Sequence, residues 1–331
     1  MSTLHREITF SEALREAMTE EMERDPSVFL MGEDVGLFGG VFGVSAGMLE
    51  QFGENRVRDT PISEAAIVGA GLGAALVGMR PIVEIMFADF TTVAMDQIVN
   101  QVAKARYMSG GKANVPLTLR VVNGAPGSAA AQHSQSPEAW FMNVPGLKIA
   151  IPATPYDAKG LLKTAIRGED PVMFFEHKML YAARDIVPAE DYTVPFGEAA
   201  LRREGTDATV IAIGGVLPNV LAAAEQLAGS GISVEVIDPR TLVPLDTAAL
   251  VESVKKTHRA VIVHEAHRRA GPGAEIAAVL AEEAIGYLDG PVIRVATKNV
   301  PFPYHPELEK FILPGVDDIA QAVTGVVNYV L

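Results

Sequence analysis

Three short segments of this chain concentrate residue types that move protons or hold a flat ring. They are Arg58-Asp-Thr-Pro-Ile-Ser-Glu64, Glu84-Ile-Met-Phe-Ala-Asp-Phe90 and Ala131-Gln-His-Ser-Gln-Ser-Pro-Glu-Ala-Trp140. Glu64 and His133 supply a carboxyl and an imidazole, both capable of general acid-base work, and Phe90 supplies an aromatic face. Taken singly, each has an ordinary structural explanation. Glu64 reads as a first-turn helix acid stabilised by the helix dipole, His133 as a loop histidine, and Phe90 as a core aromatic. Their placement sets them apart. Each segment falls at a junction between strand-like and helix-like patterns, and ligands of open α/β sheets bind beyond the carboxyl ends of the strands.

Other motifs fail on context. Gly69-Ala-Gly71-Leu-Gly73-Ala74 matches a dinucleotide-binding fingerprint, and Asp89 lies near the spacing of a ribose-binding acid. A fingerprint follows a strand, however, whereas Pro61, Ser63 and Glu64 open a helix just upstream. The glycines therefore fall inside that helix, where small residues permit close packing. His264-Glu-Ala-His267 is one residue short of the zincin motif and follows an apolar strand, which predicts a surface loop at a strand end. No G-x-S-x-G elbow for a serine hydrolase is present. With no cysteine, thiolate catalysis, cysteine-ligated metals and disulfides are excluded.

The elements that position these residues can be read from patterning. The 331 residues, 49% of them hydrophobic, suffice for two buried cores. The excess of 41 acidic over 27 basic side chains, a formal charge of −14, repels nucleic acid and anionic membranes. The opening residues Met1-Ser-Thr-Leu-His-Arg-Glu carry neither a signal-peptide core nor a transit-peptide composition, which predicts a cytoplasmic protein.

A helix is expected from Thr9, where Thr9 and Glu12 form a capping box ahead of Ala13, Leu14, Ala17 and Met18. Apolar runs then alternate with helical patterns: Val28–Met31, the helix-like Glu64–Gly78, Pro81–Phe87, the helix-like Thr91–Met108 and Pro116–Val122. Leu147–Ile151, the helical Tyr156–Arg167 and Val172–Phe175 continue this βαβ rhythm of a parallel sheet. It breaks at Asp185–Pro195, where the domain linker is expected. A second series follows, with strands at Ala208–Ile213, Ser233–Ile237, Ala260–Val263 and Val292–Val295, and helices after Pro218 and near Asp246–Lys256 and Ala274–Ala284.

Together the three segments resemble the beta subunits of the thiamine-diphosphate-dependent 2-oxo acid dehydrogenases that act on pyruvate, branched-chain 2-oxo acids or acetoin. The likeness extends through Phe29-Leu-Met-Gly-Glu-Asp34, Asp96-Gln-Ile-Val-Asn100, Tyr107-Met-Ser-Gly-Gly111, Pro145-Gly-Leu-Lys148, Asp157-Ala-Lys-Gly-Leu161 and Asp238-Pro-Arg-Thr-Leu242, nearly the whole chain. It implies an α/β, transketolase-like fold: a three-layer parallel-sheet pyrimidine-binding domain over residues 1–190, then a smaller α/β C-terminal domain over 191–331 for subunit assembly and docking.

The resemblance also implies roles. Glu64 falls on the family's activating glutamate, whose carboxyl hydrogen-bonds the cofactor's aminopyrimidine and favours its imino tautomer; burial of that carboxyl would raise its pKa. Phe90 falls on the stacking aromatic, with Met86 and Ile62 excluding water, and Glu33 on an acid that organises polar contacts. His133 matches the catalytic histidine, suited to hydrogen-bonding the developing charge on substrate or intermediate and to proton transfer with an incoming lipoyl group. A potassium site on backbone carbonyls corresponds to Leu117, Ala165, Ile166, Gly168 and Asp170; many relatives have Asp where this chain has Gly168, a change a main-chain ligand tolerates.

The usual G-D-G segment and following Asn that hold the diphosphate's magnesium are missing here. An alpha subunit must then supply that half of thiamine diphosphate and its Mg2+, in an alpha2-beta2 heterotetramer. The expected function is oxidative decarboxylation of a 2-oxo acid, with acyl transfer to a lipoyl-bearing dihydrolipoyl acyltransferase. Acetoin cleavage and a non-catalytic scaffold are the alternatives.

Overall fold

The computed structural model describes residues 5–329, so Met1 to Leu4 of the opening segment lie outside the described residues. The chain divides into two compact units. The first holds the described residues through Asn123 together with Trp140–Phe196, and the second holds Gly124–Ala139 and the residues from Gly197 onward.

In the first unit, β1 (His5–Thr9) runs into α1 (Phe10–Arg24) through the capping box expected from the sequence. Thr9 Oγ1 accepts from the Glu12 amide at 3.1 Å, and the Glu12 carboxyl accepts from the Thr9 amide at 2.7 Å, which satisfies two helix-end groups at once. The buried face of α1 carries Phe10, Ala13, Leu14, Ala17 and Met18 and packs on a later helix described below. Then come β2 (Val28–Gly32), α2 (Met48–Phe52), β3 (Val57–Asp59), α3 (Glu64–Leu76), β4 (Arg80–Ile85), α4 (Ala103–Met108), β5 (Thr118–Asn123), α5 (Glu138–Met142), β6 (Lys148–Ala150), α6 (Pro155–Arg167), β7 (Val172–His177) and β8 (Arg184–Pro188). Helix α6 is the partner of α1.

Six of these strands lie side by side in the order β6-β7-β5-β4-β2-β3, all parallel. Strands β2, β4, β5 and β7 are buried along most or all of their length, as parallel strands covered on both faces must be. The glycine run does lie inside α3. A Cβ on Gly71 would come within 2.7 Å of Val83 Cγ2 and 3.0 Å of Leu117 Cδ1, so this glycine sets the distance between α3 and the strands beneath.

Two expectations for the first unit need revision. Thr91–Met108 is not one helix. It comprises a 3-10 turn over Ala88–Thr92, a π-helical stretch over Gln97–Val102, and only then α4. Thr91 Oγ1 donates to Ala88 O at 2.6 Å and Thr92 Oγ1 to Asp89 O at 2.8 Å, and such local side-chain bonds compete with regular helix. Asp185–Pro195 is not irregular throughout either, since its first residues belong to β8 and pair antiparallel with β1.

The middle of the first sheet is held by charge. Arg120 of β5 is wholly buried; its Nε and Nη2 reach the two carboxyl oxygens of Glu176 on β7 at 2.6 and 2.7 Å, and Nη1 reaches Glu84 on β4 at 2.6 Å. Tyr181 Oη adds a donor to Glu176 at 2.9 Å. Burial alone would push the Arg120 pKa down, but the two carboxyls outweigh it and raise it; burial pushes Glu84 up against the pull of Arg120.

The second unit contains β9 (Ala200–Arg203), β10 (Ala208–Ile213), α7 (Leu217–Ala228), β11 (Val234–Asp238), β12 (Thr241–Val243), α8 (Thr247–Thr257), β13 (Ala260–His267), α9 (Pro272–Glu283), β14 (Ile293–Thr297), α10 (Pro306–Ile312) and α11 (Val316–Val327). Its sheet has the order β14-β13-β10-β11-β9, parallel except for the β9 edge. His264 lies within β13 and is fully buried, contrary to the surface loop expected there. A Cβ on Gly273 would come within 2.8 Å of its ring, and burial pushes its imidazole down to about 4, which marks it as a neutral core histidine.

Removing the charge of Arg120 while keeping its bulk leaves two carboxyls unpaired in a dry interior. Arg120→Met should therefore lower unfolding stability by about 3–5 kcal/mol, read as a lower denaturant midpoint. An unchanged midpoint would show that the network does not hold the sheet.

Candidate functional site

The candidate site of the first unit follows from strand register. Gly32 of β2 lies opposite Asp59 of β3 on one side and Glu84 of β4 on the other. The three strands therefore end at one level, and the segments that leave them, from Glu33, Thr60 and Met86, emerge along one edge. Thr60 N donates to Gly32 O at 2.9 Å, which carries the β2-β3 pairing past the end of β3. Asp59 turns its carboxyl onto the loop after β2, accepting from Gly36 N at 2.6 Å and Leu37 N at 3.1 Å. Asp59 stands in the first key segment, and its role in bracing this loop is visible only in the fold.

Two carboxyls meet at this edge. Glu33, 8% exposed, accepts from the Ser63 backbone amide; burial and then the neighbouring Glu64 raise its pKa above the ordinary carboxylate range. Glu64, the first residue of α3, is 7% exposed. A carboxyl held above its ordinary range keeps a proton more readily, so Glu33 is the acid at this edge disposed to carry one.

The apolar members leave the strands along the same edge. Phe90 and Met86 are half-buried, and Ile62 is 82% exposed. Phe90 lies edge-on to Phe87 with centroids 5.7 Å apart. Phe87 meets Phe42 at 5.6 Å, and Phe42 meets Tyr181 at 5.5 Å. This aromatic chain ties the site's ring to the tyrosine that hydrogen-bonds Glu176. Gly40, with φ +82, closes over the same network: a Cβ there would stand 3.3 Å from Glu84 Oε1. The structure thus gathers Glu33, Ile62, Glu64, Met86 and Phe90 on one edge of the first unit. His133 lies in the second unit, half-exposed, within the segment Gly124–Ala139.

The five residues suggested for a monovalent cation also lie in the first unit. Arg80 Nη1 donates to Ile166 O at 3.0 Å and to Gly168 O at 2.7 Å, so these two carbonyls converge on one positively charged point. Leu117 O accepts from Val172 N at 2.9 Å and Ala165 O from Gly168 N at 3.2 Å. Each carbonyl keeps a second lone pair. The Asp170 carboxyl is taken by Arg106 and by Lys148 Nζ, leaving its main chain as its only route to a cation.

Sequence reasoning missed the Arg120 network and the buried acids Glu265 and Glu309 of the second unit, and gave no role to Glu138 of the third key segment, which is also buried. A signal existed for the first, because arginine inside the apolar run Thr118–Asn123 needs a buried partner. Burial, with Glu265 adding to it, pushes Glu138 up to about 8.

Comparison with known proteins places the fold. Residues 6–184 match the transketolase pyrimidine-binding domain, and residues 197–319 match the transketolase C-terminal domain. A solved structure described as a split-gene transketolase, inactive beta4 tetramer, superposes with a TM-score of 0.80 at 23% identity, covering 97% of this chain and 98% of that one. At that identity the likeness concerns fold alone. The class is therefore transketolase-like.

Closer relatives narrow it. The 2-oxoisovalerate dehydrogenase subunit beta of Bacillus subtilis is 47% identical over 97% of this chain and 99% of its own length. The pyruvate dehydrogenase E1 component subunit beta of Rickettsia felis is 48% identical over 98% and 99%. The beta subunit of acetoin:2,6-dichlorophenolindophenol oxidoreductase from Bacillus subtilis is 47% identical over 95% of each. The chain belongs to the transketolase-like family of 2-oxo acid dehydrogenase E1 beta subunits.

Proposed function

We propose that this chain is the beta subunit of an enzyme that decarboxylates a 2-oxo acid oxidatively and passes the acyl group to a lipoyl carrier, working with an alpha subunit. The carrying observation is the pair of buried carboxyls, Glu33 and Glu64, on the same edge as Phe90, at the carboxyl ends of three adjacent parallel strands, in a member of this family. Thiamine diphosphate, shared with the alpha subunit, supplies the carbanion chemistry. This chain's residues would hold the aminopyrimidine half: Phe90 stacks on the ring, Met86 and Ile62 exclude water, and Glu33 maintains a polar contact beside Glu64. Glu64 exchanges a proton with the ring nitrogen, and its burial keeps that proton out of bulk water. His133 gives or takes a proton on the substrate side. The diphosphate and Mg2+ fall to the alpha subunit, because this chain lacks the segment that holds them.

The second unit is proposed to serve assembly and docking of the lipoyl-bearing acyltransferase. Potassium would take the remaining lone pairs of the Leu117, Ala165, Ile166 and Gly168 carbonyls, with the main chain of Asp170, next to Arg80. Acetoin cleavage is the second reading, favoured by the acetoin-oxidoreductase relative, whose identity equals that of the branched-chain relative. A pure scaffold is disfavoured because burying two carboxyls together costs stability and has no return without proton chemistry. Among the described residues, no helix is long and apolar enough to cross a membrane; a cytoplasmic location is part of the proposal.

Three measurements bear on this reading. Assayed with alpha subunit against pyruvate, branched-chain 2-oxo acids and acetoin, the chain should support turnover of at least one 2-oxo acid; turnover of acetoin alone selects the second reading, and none at all the scaffold. Glu64→Gln keeps the shape and removes the exchangeable proton, so hydrogen exchange at the thiazolium carbon should slow by at least about 100-fold in an assembled protein. Normal exchange would remove Glu64 from its role. Exchanging choline for potassium at fixed ionic strength should raise the thermal midpoint, and further as potassium is increased; an unchanged midpoint would show that no potassium binds there.

A further inference from the structure

His133 is carried by a loop, Gly124–Gln135, closed at its base where Gly124 N donates to Gln135 O at 3.2 Å. No helix or strand forms within it, so its shape depends on what lies beneath its backbone. Ser128 and Ala130 adopt left-handed φ values of 52 and 61° without being glycine. Such conformations persist only where the surroundings impose them.

Two buried carboxyls of the same unit take the loop's amides. Glu309 on α10 accepts from both Gly127 N and Ser128 N through Oε2, each at 3.1 Å. Glu265 on β13 accepts from Ala125 N through Oε1 at 2.5 Å. Glu309 is only 1% exposed, and its Oε1 has no hydrogen-bond partner among the described residues. A buried carboxyl with one oxygen unsatisfied is costly to keep. What it provides is a fixed acceptor for two consecutive amides that no regular element serves.

We propose that Glu309, supported by Glu265, is a positioning residue for His133: it fixes the peptide groups of Gly127 and Ser128 and thereby the path of the chain that presents the imidazole. The inference rests on the reading of His133 as the substrate-side proton carrier. Glu309 itself touches neither substrate nor cofactor. Freeing the loop would spread the imidazole over several positions, and misplacement by about 1 Å costs on the order of 100-fold in a positioned reaction.

The test uses the alpha-beta assembly with thiamine diphosphate, Mg2+ and lipoamide as acyl acceptor. Glu309→Ala should lower lipoamide acylation by about 10- to 100-fold, leave thiazolium hydrogen exchange unchanged, and speed amide exchange over residues 125–133. Glu309→Gln keeps a carbonyl acceptor and should restore most of the rate. Added to His133→Ala, Glu309→Ala should cost nothing further, because the two act through one group. Wild-type acylation in Glu309→Ala, or an equal loss with and without His133, overturns the proposal and leaves Glu309 a stability residue. If His133→Ala alone keeps full acylation, the assignment of His133 fails instead, and the amide exchange still reads whether Glu309 orders the loop. Should Glu309→Ala not assemble, Glu309→Asp, which withdraws the carboxyl by one methylene, takes its place. Looser amides with slower acylation then support the proposal, and wild-type behaviour in both overturns it.

Discussion

The buried charge of Arg120 ties the central strands of the first unit to one register. A guanidinium stripped of water survives only if its donors are met, and Glu84 and Glu176 meet them from the strands on either side. The contact therefore links β4, β5 and β7 in one register. A slip of β4 by one residue would turn Glu84 to the other face, leaving Arg120 short of an acceptor and Glu84 without a donor. Because β4 also pairs with β2, the level at which β2, β3 and β4 end is set by the same contact. The site edge inherits that level.

The aromatic chain extends this constraint to the site. Tyr181 bonds Glu176 through its hydroxyl and packs its ring on Phe42, and the contacts continue through Phe87 to Phe90. Phe90 leaves β4 on an irregular 3-10 turn, so no regular element fixes its ring. Packing must do so, and edge-to-face contacts between rings are directional enough to serve. The ring proposed to stack on the cofactor is thus positioned by neighbours whose own positions trace back to a buried ion network. A rigid first layer supported by a second is the usual condition for a functional site held to a fraction of an ångström.

Much of this was legible in the sequence wherever the physics is local. The Thr9-Glu12 capping box announced α1, alternating apolar runs announced the parallel strands, and Glu64 falls at the start of α3 as its first-turn position implied. What escaped was nonlocal. Thr91–Met108 has helical composition, but threonine hydroxyls bonding three residues back tighten its first turn. Asp185–Pro195 looks like a linker because β8 finds its partner in β1, nearly the whole unit away. His264 looked like a loop residue because periodicity cannot tell where an apolar strand stops, and β13 runs on through it. Glu309 is beyond any local reading: the amides it accepts from lie 182 and 181 residues earlier.

The two halves of the proposed chemistry place opposite demands on the chain. Glu33 follows the end of β2 and Glu64 opens α3, where the packed strands fix them and burial raises the Glu33 carboxyl. His133 sits on a loop, where a substrate can reach it but regular hydrogen bonding cannot hold it. A loop that must be both accessible and ordered needs acceptors from outside itself, and Glu265 and Glu309 are buried for that purpose at the expense of stability. Ile62 shows the complementary solution. As an apolar side chain left mostly exposed two residues before Glu64, it is an unfavourable surface for an isolated chain and a ready contact for a bound ring or a partner subunit. The features least explained by the folding of this chain alone are therefore the ones that the proposed shared site requires.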